Sequence, residues 1–207
     1  MDERRELTLL SSGIKKKYLK LNEDQLNWLH HLYTKIAVSI HGAKSKIRCM
    51  EWATSCEIVD DALKVHLQPF GVNPRPPRSL AELRTAIHCV LTCLMDLHAA
   101  GWVHLDIRWS NMIYLSPSEW VVIDAEFARP FKSPFPIELK KKDPDAKEGD
   151  EQADCYLVGL MMLEYTNLWE HDKYASELVS YLTAKGERER KRRSARGAIE
   201  SPFFRAV

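Results

Sequence analysis

No apolar run in this 207-residue chain approaches the roughly 18–20 residues that a bilayer-spanning helix needs; the longest, Tyr156–Leu163, is less than half that. Charge of one sign is also missing. The 30 Lys and Arg face 29 Asp and Glu, a net +1, which rules out a chain-wide footprint for nucleic acid or an anionic membrane surface. Cysteine is sparse, and Cys49, Cys56, Cys89, Cys93 and Cys155 are odd in number with no C-x-x-C pair. That argues against a disulfide framework or a zinc site and predicts free thiols in a reducing compartment. The opening residues, Met1-Asp2-Glu3-Arg4-Arg5, form no apolar h-region, so the expectation is an intracellular chain without a secretory signal. What the chain does have is 45% hydrophobic residues, enough for a sizeable core in one domain or in one domain of two unequal lobes.

Periodicity predicts short strands at 7–10 and 17–21, then a helix from Asn22, which with Gln25 makes a capping box. Leu26, Leu29, Tyr33, Ile36 and Ile40 keep the spacing of one helical face. Strands are expected at 46–52 and 62–67; in the second, Leu63, Val65 and Leu67 alternate with Lys64 and His66. Gly71–Arg78, with three prolines, breaks both kinds of element. It divides the chain into a small mixed lobe (1–70), a hinge (71–78) and a larger helical lobe (79–207).

Ser79 and Glu82 make a second capping box, opening a helix to about Ala99 with a broad apolar stripe from Leu80 to Leu97. Cys89 and Cys93 lie one turn apart on it and read as core packing. Short β pieces at 102–104, 112–115 and 120–124, a loop over 130–152 and helices at 153–166, 174–184 and 190–200 complete the pattern. The basic residues of 188–196, with Glu187 and Glu189 among them, read as a solvated helix face, the alternative being a nuclear-localisation patch.

The chemistry concentrates in His104-Leu105-Asp106-Ile107-Arg108-Trp109-Ser110-Asn111 and in Val121-Val122-Ile123-Asp124. If Ser116-Pro117-Ser118-Glu119 closes a hairpin, partner numbers sum to 235 and Asn111 falls opposite Asp124. An amide oxygen and a carboxylate there suit a hard cation such as Mg²⁺, with room left for water and phosphates. Asp106 is placed to accept a substrate proton, and Arg108 to meet a transferring phosphate. Base, metal ligands and cation in one stretch suit phosphoryl transfer. His104 reads as a packed core histidine, and Trp102, Trp109 and Trp120 as core beneath the loop.

On these residues the chain resembles the protein-kinase-like superfamily. His104–Asn111 matches its H-x-D-x-x-x-x-N catalytic loop, and Asp124 matches the metal-binding Asp of D-F-G. Leu97–Gly101 resembles the helix end before that loop, and Asp154–Gly159 the D-x-W-S-x-G start of the buried helix that anchors it. Arg193-Ser194-Ala195 with Ser201–Phe204 resembles the closing R-x-T-A…H-P-F-F. The Arg108-Trp109 pair and the Gln68-Pro69-Phe70-Gly71 hinge resemble kinase-like domains of fungi and oomycetes, crinkler-type effectors among them.

The resemblance implies an α+β, protein-kinase-like fold with a reduced N-terminal β lobe and a mainly helical C-terminal lobe. It implies transfer of the γ-phosphate of ATP to a hydroxyl, of Ser or Thr rather than Tyr, with Mg²⁺ as cofactor and a protein as substrate or binding partner. Asp106 would be the base, Arg108 the phosphate-facing charge, Asn111 and Asp124 the metal ligands, and Lys20, Gln68 and Phe70 the nucleotide contacts.

Departures from the family pattern keep two alternatives open. Gly13 is the one glycine before Asn22, so the G-x-G-x-x-G loop is missing. Lys20 sits where the strand lysine would lie, and only Glu23, with Gln25 next, offers it a partner on the following helix. Leu105 replaces the arginine of H-R-D, Ala125-Glu126 replaces Phe-Gly, and no A-P-E follows. On strand alternation, Glu126 would turn to the side of Asp124. The lost glycine loop favours a pseudokinase, a binding or regulatory module without turnover. Glu126 and the missing A-P-E favour a small-molecule kinase of the aminoglycoside or choline type.

Overall fold

The computed structural model describes residues 5–10, 13–38, 47–69, 75–139, 148–184, 188 and 191–205. Strand β1, Arg5–Leu10, pairs antiparallel with β2, Gly13–Tyr18. With β3, Trp52–Val59, and β4, Ala62–Gln68, they form one sheet in the order β1-β2-β4-β3. The expected strand at 17–21 is corrected: the chain leaves the sheet after Tyr18, and Lys20 turns with φ 54°. All three lysines of Lys15-Lys16-Lys17 therefore lie inside β2, where alternation buries Lys16 with Tyr18 and turns Lys15 to solvent. The strand expected at 46–52 is also displaced. Ile47–Cys49 turn, Met50 makes a single parallel bridge to Val122, and the strand itself begins at Trp52. Asp60 and Asp61, with φ of 52° and 58°, close the β3–β4 hairpin in the left-handed conformation that two-residue hairpin turns demand.

Helix α1, Glu23–His31, starts at the expected capping box: the Gln25 N–H donates to Asn22 Oδ1 at 2.8 Å and the Asn22 N–H to Gln25 Oε1 at 3.3 Å. It continues as a π-helical turn, Leu32–Ile36, and the Ala37 carbonyl then accepts the Ala53 N–H at 2.7 Å, tying its end to β3. Ile40 lies outside the described residues, as do Phe70 and Gly71–Pro74 of the hinge.

Helix α2, Leu80–Ala99, has the predicted extent, and Ser79 Oγ caps it by accepting the Glu82 N–H at 3.2 Å. Glu82 does not complete a box. Its carboxylate instead accepts the Arg75 guanidinium at 2.8 and 2.9 Å and the Arg78 N–H at 2.8 Å. The Arg75 hydrogen bonds, with that of Arg78, hold the Glu82 carboxyl below its ordinary 4.5, at about 2. A depressed carboxylate stabilises the fold above its unfolded value and loses that contribution as pH falls. The stability gap between wild type and Glu82→Gln in denaturant unfolding should therefore close as pH drops from about 4.5 towards 2. A gap unchanged at the acid end would exclude this pairing as its source.

Strand β5, Trp102–Val103, precedes the hairpin of β6, Met112–Ser116, and β7, Glu119–Val122, and pairs with β8, Arg129–Pro130. Helices α3, Glu151–Leu163, and α5, Ala195–Ile199, pack on α2, and α4, Lys173–Thr183, packs on α3. A Cβ on Gly159 would meet Thr183 Cγ2 at 2.5 Å and Leu182 Cβ at 3.0 Å, so glycine is what lets α3 and α4 approach so closely. One core runs from the sheet into the helices, through Tyr18, Tyr33, Met50, Leu91, Trp120 and Phe203. The architecture is mixed α and β, and no helix among the described residues is long and apolar enough to cross a membrane.

Candidate active site

The β6–β7 hairpin forms as expected, but its register is corrected by an irregularity between Tyr114 and Ser116. Ser116 pairs with Glu119, whereas Met112 pairs with Val122, because a bulge takes up one extra residue of β6. Asn111 therefore meets Ile123, whose N–H donates to the Asn111 carbonyl at 2.9 Å, and Asp124 lies one place beyond. Asp124 has φ 67° and ψ 62°, a left-handed conformation that costs energy for a residue with a side chain. Its N–H is held there by Glu51 Oε1 at 2.8 Å.

The loop before the hairpin is anchored by Asp154, in the first turn of α3 and with no exposure to solvent. Its Oδ2 accepts the His104 N–H at 2.9 Å and faces His98 Nε2 at 2.9 Å, and its Oδ1 accepts the Leu105 N–H at 2.7 Å. These bonds fix Leu105 at φ 65°, again left-handed. Asp154 thus anchors the loop. Trp109 closes the loop from beneath, its indole N–H donating to the Met161 carbonyl at 2.9 Å. His104 is fully buried and its Nδ1 accepts the Asp106 N–H at 3.3 Å, so it is a packed core histidine, as expected.

Asp106, Arg108 and Asn111 come together. Asp106 Oδ2 accepts Asn111 Nδ2 at 2.8 Å and stands 3.1 Å from the Arg108 guanidinium. Asp106 is 2% exposed, while the Arg108 side chain is 46% exposed and reaches solvent. Asn111 Nδ2 also donates to the Asp106 carbonyl at 2.9 Å. With its nitrogen committed to Asp106, Asn111 keeps its Oδ1 without a hydrogen bond among the described residues.

The lysine that completes this cluster is Lys16. Its ammonium lies 3.4 Å from Glu51 Oε2 and 3.5 Å from Asp124 Oδ1. The Tyr33 hydroxyl donates to Glu51 Oε1 at 2.9 Å. Burial works to lower the Lys16 pKa, but the charge of Glu51, then those of Tyr18 and Asp124, and the Glu51 hydrogen bond outweigh it, and the ammonium is held above its ordinary range. Burial first, then the Glu51 charge, pushes the Tyr33 hydroxyl up as well.

Three sequence-level expectations are corrected by this geometry. Lys20 does not join the cluster, because β2 ends at Tyr18 and Lys20 sits on an exposed bend. Glu23 and Gln25 do not pair with the site lysine: both lie in the first turn of α1, where Gln25 makes the cap. The partner is Glu51, from the segment before β3. Glu126 does not follow strand alternation, because Ala125–Phe127 form a 3₁₀ turn. Gln68, expected as a nucleotide contact, ends β4 opposite Trp52, and Phe70 lies outside the described residues.

Asp106, Asp124 and Glu51 bring acidic side chains to the site, and Lys16 and Arg108 basic ones. Among the described residues, no group of three or more His, Cys, Asp or Glu could hold a metal ion by itself. The Asn111 Oδ1 and the Asp124 carboxylate are hard oxygen donors. They match Mg²⁺, which is usually held by one or two protein oxygens with water and phosphate filling the remaining positions.

No protein-family model matches the chain. Over 133 residues it is 38% identical to "Crinkler effector protein 8" of Phytophthora infestans, a match that covers 62% of this chain and 20% of that protein. A likeness to one crinkler effector is thus present over 62% of the chain, and this chain matches about a fifth of that relative's length.

Proposed function

We propose that the chain is an ATP- and Mg²⁺-dependent phosphotransferase with a protein-kinase-like fold, transferring the γ-phosphate to a hydroxyl on a protein, of Ser or Thr rather than Tyr. The observation that carries this reading is the convergence of Lys16, Glu51 and Asp124 beside the Asp106–Asn111 pair, from four separate parts of the chain. When bound, Mg-ATP supplies the transferable phosphoryl group and the metal's charge. Asp106, buried and oriented by Asn111, accepts the proton of the attacking hydroxyl. Arg108, close to that carboxylate and open to solvent, offsets the negative charge of the entering phosphate. Lys16, fixed by Glu51, binds phosphate oxygens, and Asn111 Oδ1 with Asp124 holds the cation.

Thermal unfolding with and without Mg-ATP tests the nucleotide site, with Asp124→Asn as the control. At a hundredfold excess over Kd, binding stabilises by about 2.7 kcal/mol, an increase in Tm of roughly 5–10 °C at this size. A magnesium-dependent rise that Asp124→Asn abolishes is expected; no rise at millimolar Mg-ATP would overturn the proposal. The missing glycine loop favours a second reading, a pseudokinase. Labelled ATP separates the two: transfer of label to protein supports the kinase, binding without transfer supports the pseudokinase, and label on a small acceptor points to a small-molecule kinase.

A further inference from the structure

The Glu51 carboxylate is held by bonds of unequal length. Its Oε1 accepts the Tyr33 hydroxyl at 2.9 Å and the Asp124 N–H at 2.8 Å, whereas the Lys16 ammonium stands 3.4 Å from each of its oxygens. A carboxylate on a flexible side chain takes its orientation from the short, directional bonds, and an ion pair at the longer distance follows it. One of the two short donors is main chain. The other is the Tyr33 side chain.

Tyr33 is fully buried and lies on the π-helical turn Leu32–Ile36 that continues α1. The turn is closed by the Ala37 N–H, which donates to the Leu32 carbonyl at 2.7 Å, and the Ala37 carbonyl accepts the Ala53 N–H at 2.7 Å. That second bond fastens the end of the turn to the chain two residues past Glu51, so main-chain geometry brings the phenol to the carboxylate. Such turns are rare and occur frequently at functional sites. A phenylalanine would fill the same core space. What the tyrosine adds is a hydroxyl, and that hydroxyl goes to Glu51.

We infer that Tyr33 is a positioning residue, which fixes the Glu51 carboxylate and through it holds the Lys16 ammonium where nucleotide phosphate enters. The inference rests on the proposed phosphotransferase reading for its ligand, and on the hydrogen-bond geometry alone for the contact from Tyr33 through Glu51 to Lys16. Without the hydroxyl, Oε1 keeps the Asp124 N–H and the carboxylate is free to turn about it. The ammonium then shifts towards Asp124 Oδ1, already 3.5 Å away, and is drawn off the phosphate. Tyr33 acts through Glu51, so contacts to the nucleoside part of the ligand do not depend on it.

Tyr33→Phe keeps the ring and removes the hydroxyl. Thr34→Val is the control for a loss inside the same helix, since it removes the next hydroxyl and its 2.7 Å bond to the His30 carbonyl. Titration calorimetry should find Mg-ATP about tenfold weaker on Tyr33→Phe, the size of one lost hydrogen bond. Adenosine, which has no phosphate, should bind Tyr33→Phe as it binds wild type, and Thr34→Val should bind both ligands normally. A general loosening of the fold would instead weaken the two ligands together. In a chain labelled with ¹⁵N-lysine, the Lys16 ammonium resonance, assigned from Lys16→Arg, should move in Tyr33→Phe and stay in place in Thr34→Val. Where wild type binds Mg-ATP, an unchanged affinity in Tyr33→Phe, or an equal weakening of adenosine, overturns the inference. Where wild type binds no Mg-ATP, the phosphotransferase reading falls and the resonance decides: unmoved in Tyr33→Phe, it overturns the positioning role as well.

Discussion

Replacing Lys16 with methionine is expected to cost about 3–5 kcal/mol, or roughly 6–20 °C in Tm for a chain of this size. Lys16, Glu51 and Asp124 have side chains only 5%, 4% and 10% exposed. Without the ammonium, the buried Glu51 and Asp124 carboxylates would lose the cation that lies 3.4 and 3.5 Å from them. Lys20→Met, on an exposed bend, should change stability by less than about 0.5 kcal/mol. Glu51→Gln placed on top of Lys16→Met should recover part of the loss, because it removes one of the two buried carboxylates that lost the ammonium. Urea unfolding of the four proteins measures this directly. Equal small losses for Lys16→Met and Lys20→Met would refute the buried cluster. The same Lys16 variant, where it folds, should also lose the magnesium-dependent response to ATP.

Asp154→Ala should produce an effect of similar size by another route. It leaves the His104 and Leu105 N–H groups buried without acceptors, each costing about 1–3 kcal/mol, and it releases Leu105 from its left-handed conformation. Asp154→Asn should lose less, since its remaining oxygen can still accept one of the two N–H groups. The direct readout is amide hydrogen exchange: protection at positions 104 and 105 should collapse in Asp154→Ala while protection in the middle of α2 persists. Native protection at both loop amides would mean that the loop holds its shape without the carboxylate.

What the sequence disclosed follows from the range of each interaction. The span of α2 and the two helix starts at Asn22 and Ser79 are local events, set by apolar spacing and by side chains three residues apart. Asp106, Arg108, Asn111 and Asp124 were legible because they occupy one short stretch around one hairpin. Lys16 was not, because three successive lysines have the same composition and only the end of β2 selects among them. A strand prolonged to Leu21 puts Lys20 on the same face as Tyr18; a strand ending at Tyr18 leaves that place to Lys16.

Glu51 carried a weaker signal, a lone acid in the apolar run Cys49–Ala53, where an unpaired charge would be costly. Its partner lay 35 positions away and no local spacing could supply it. The register of the β6–β7 hairpin failed by one residue for a related reason, since a bulge is invisible in a pattern read as strict alternation. Glu82 illustrates competition: a correct capping pattern was present, and a nearby arginine outbid the helix for the carboxylate.

The main chain of residues 49–51 has a further consequence. Val122 N–H bonds the Cys49 carbonyl, Glu51 N–H bonds the Val122 carbonyl, and Asp124 N–H bonds the Glu51 carboxylate. These three bonds stitch the N-terminal sheet to the hairpin that carries Asp124. The sheet cannot swing away as a separate unit without breaking all three and pulling Met50, 1% exposed, out of the core. The two halves of the molecule therefore share one cooperative unfolding unit, and its seam runs through the proposed site. Parting Lys16 from Asp124 by moving the sheet as a body would break these bonds.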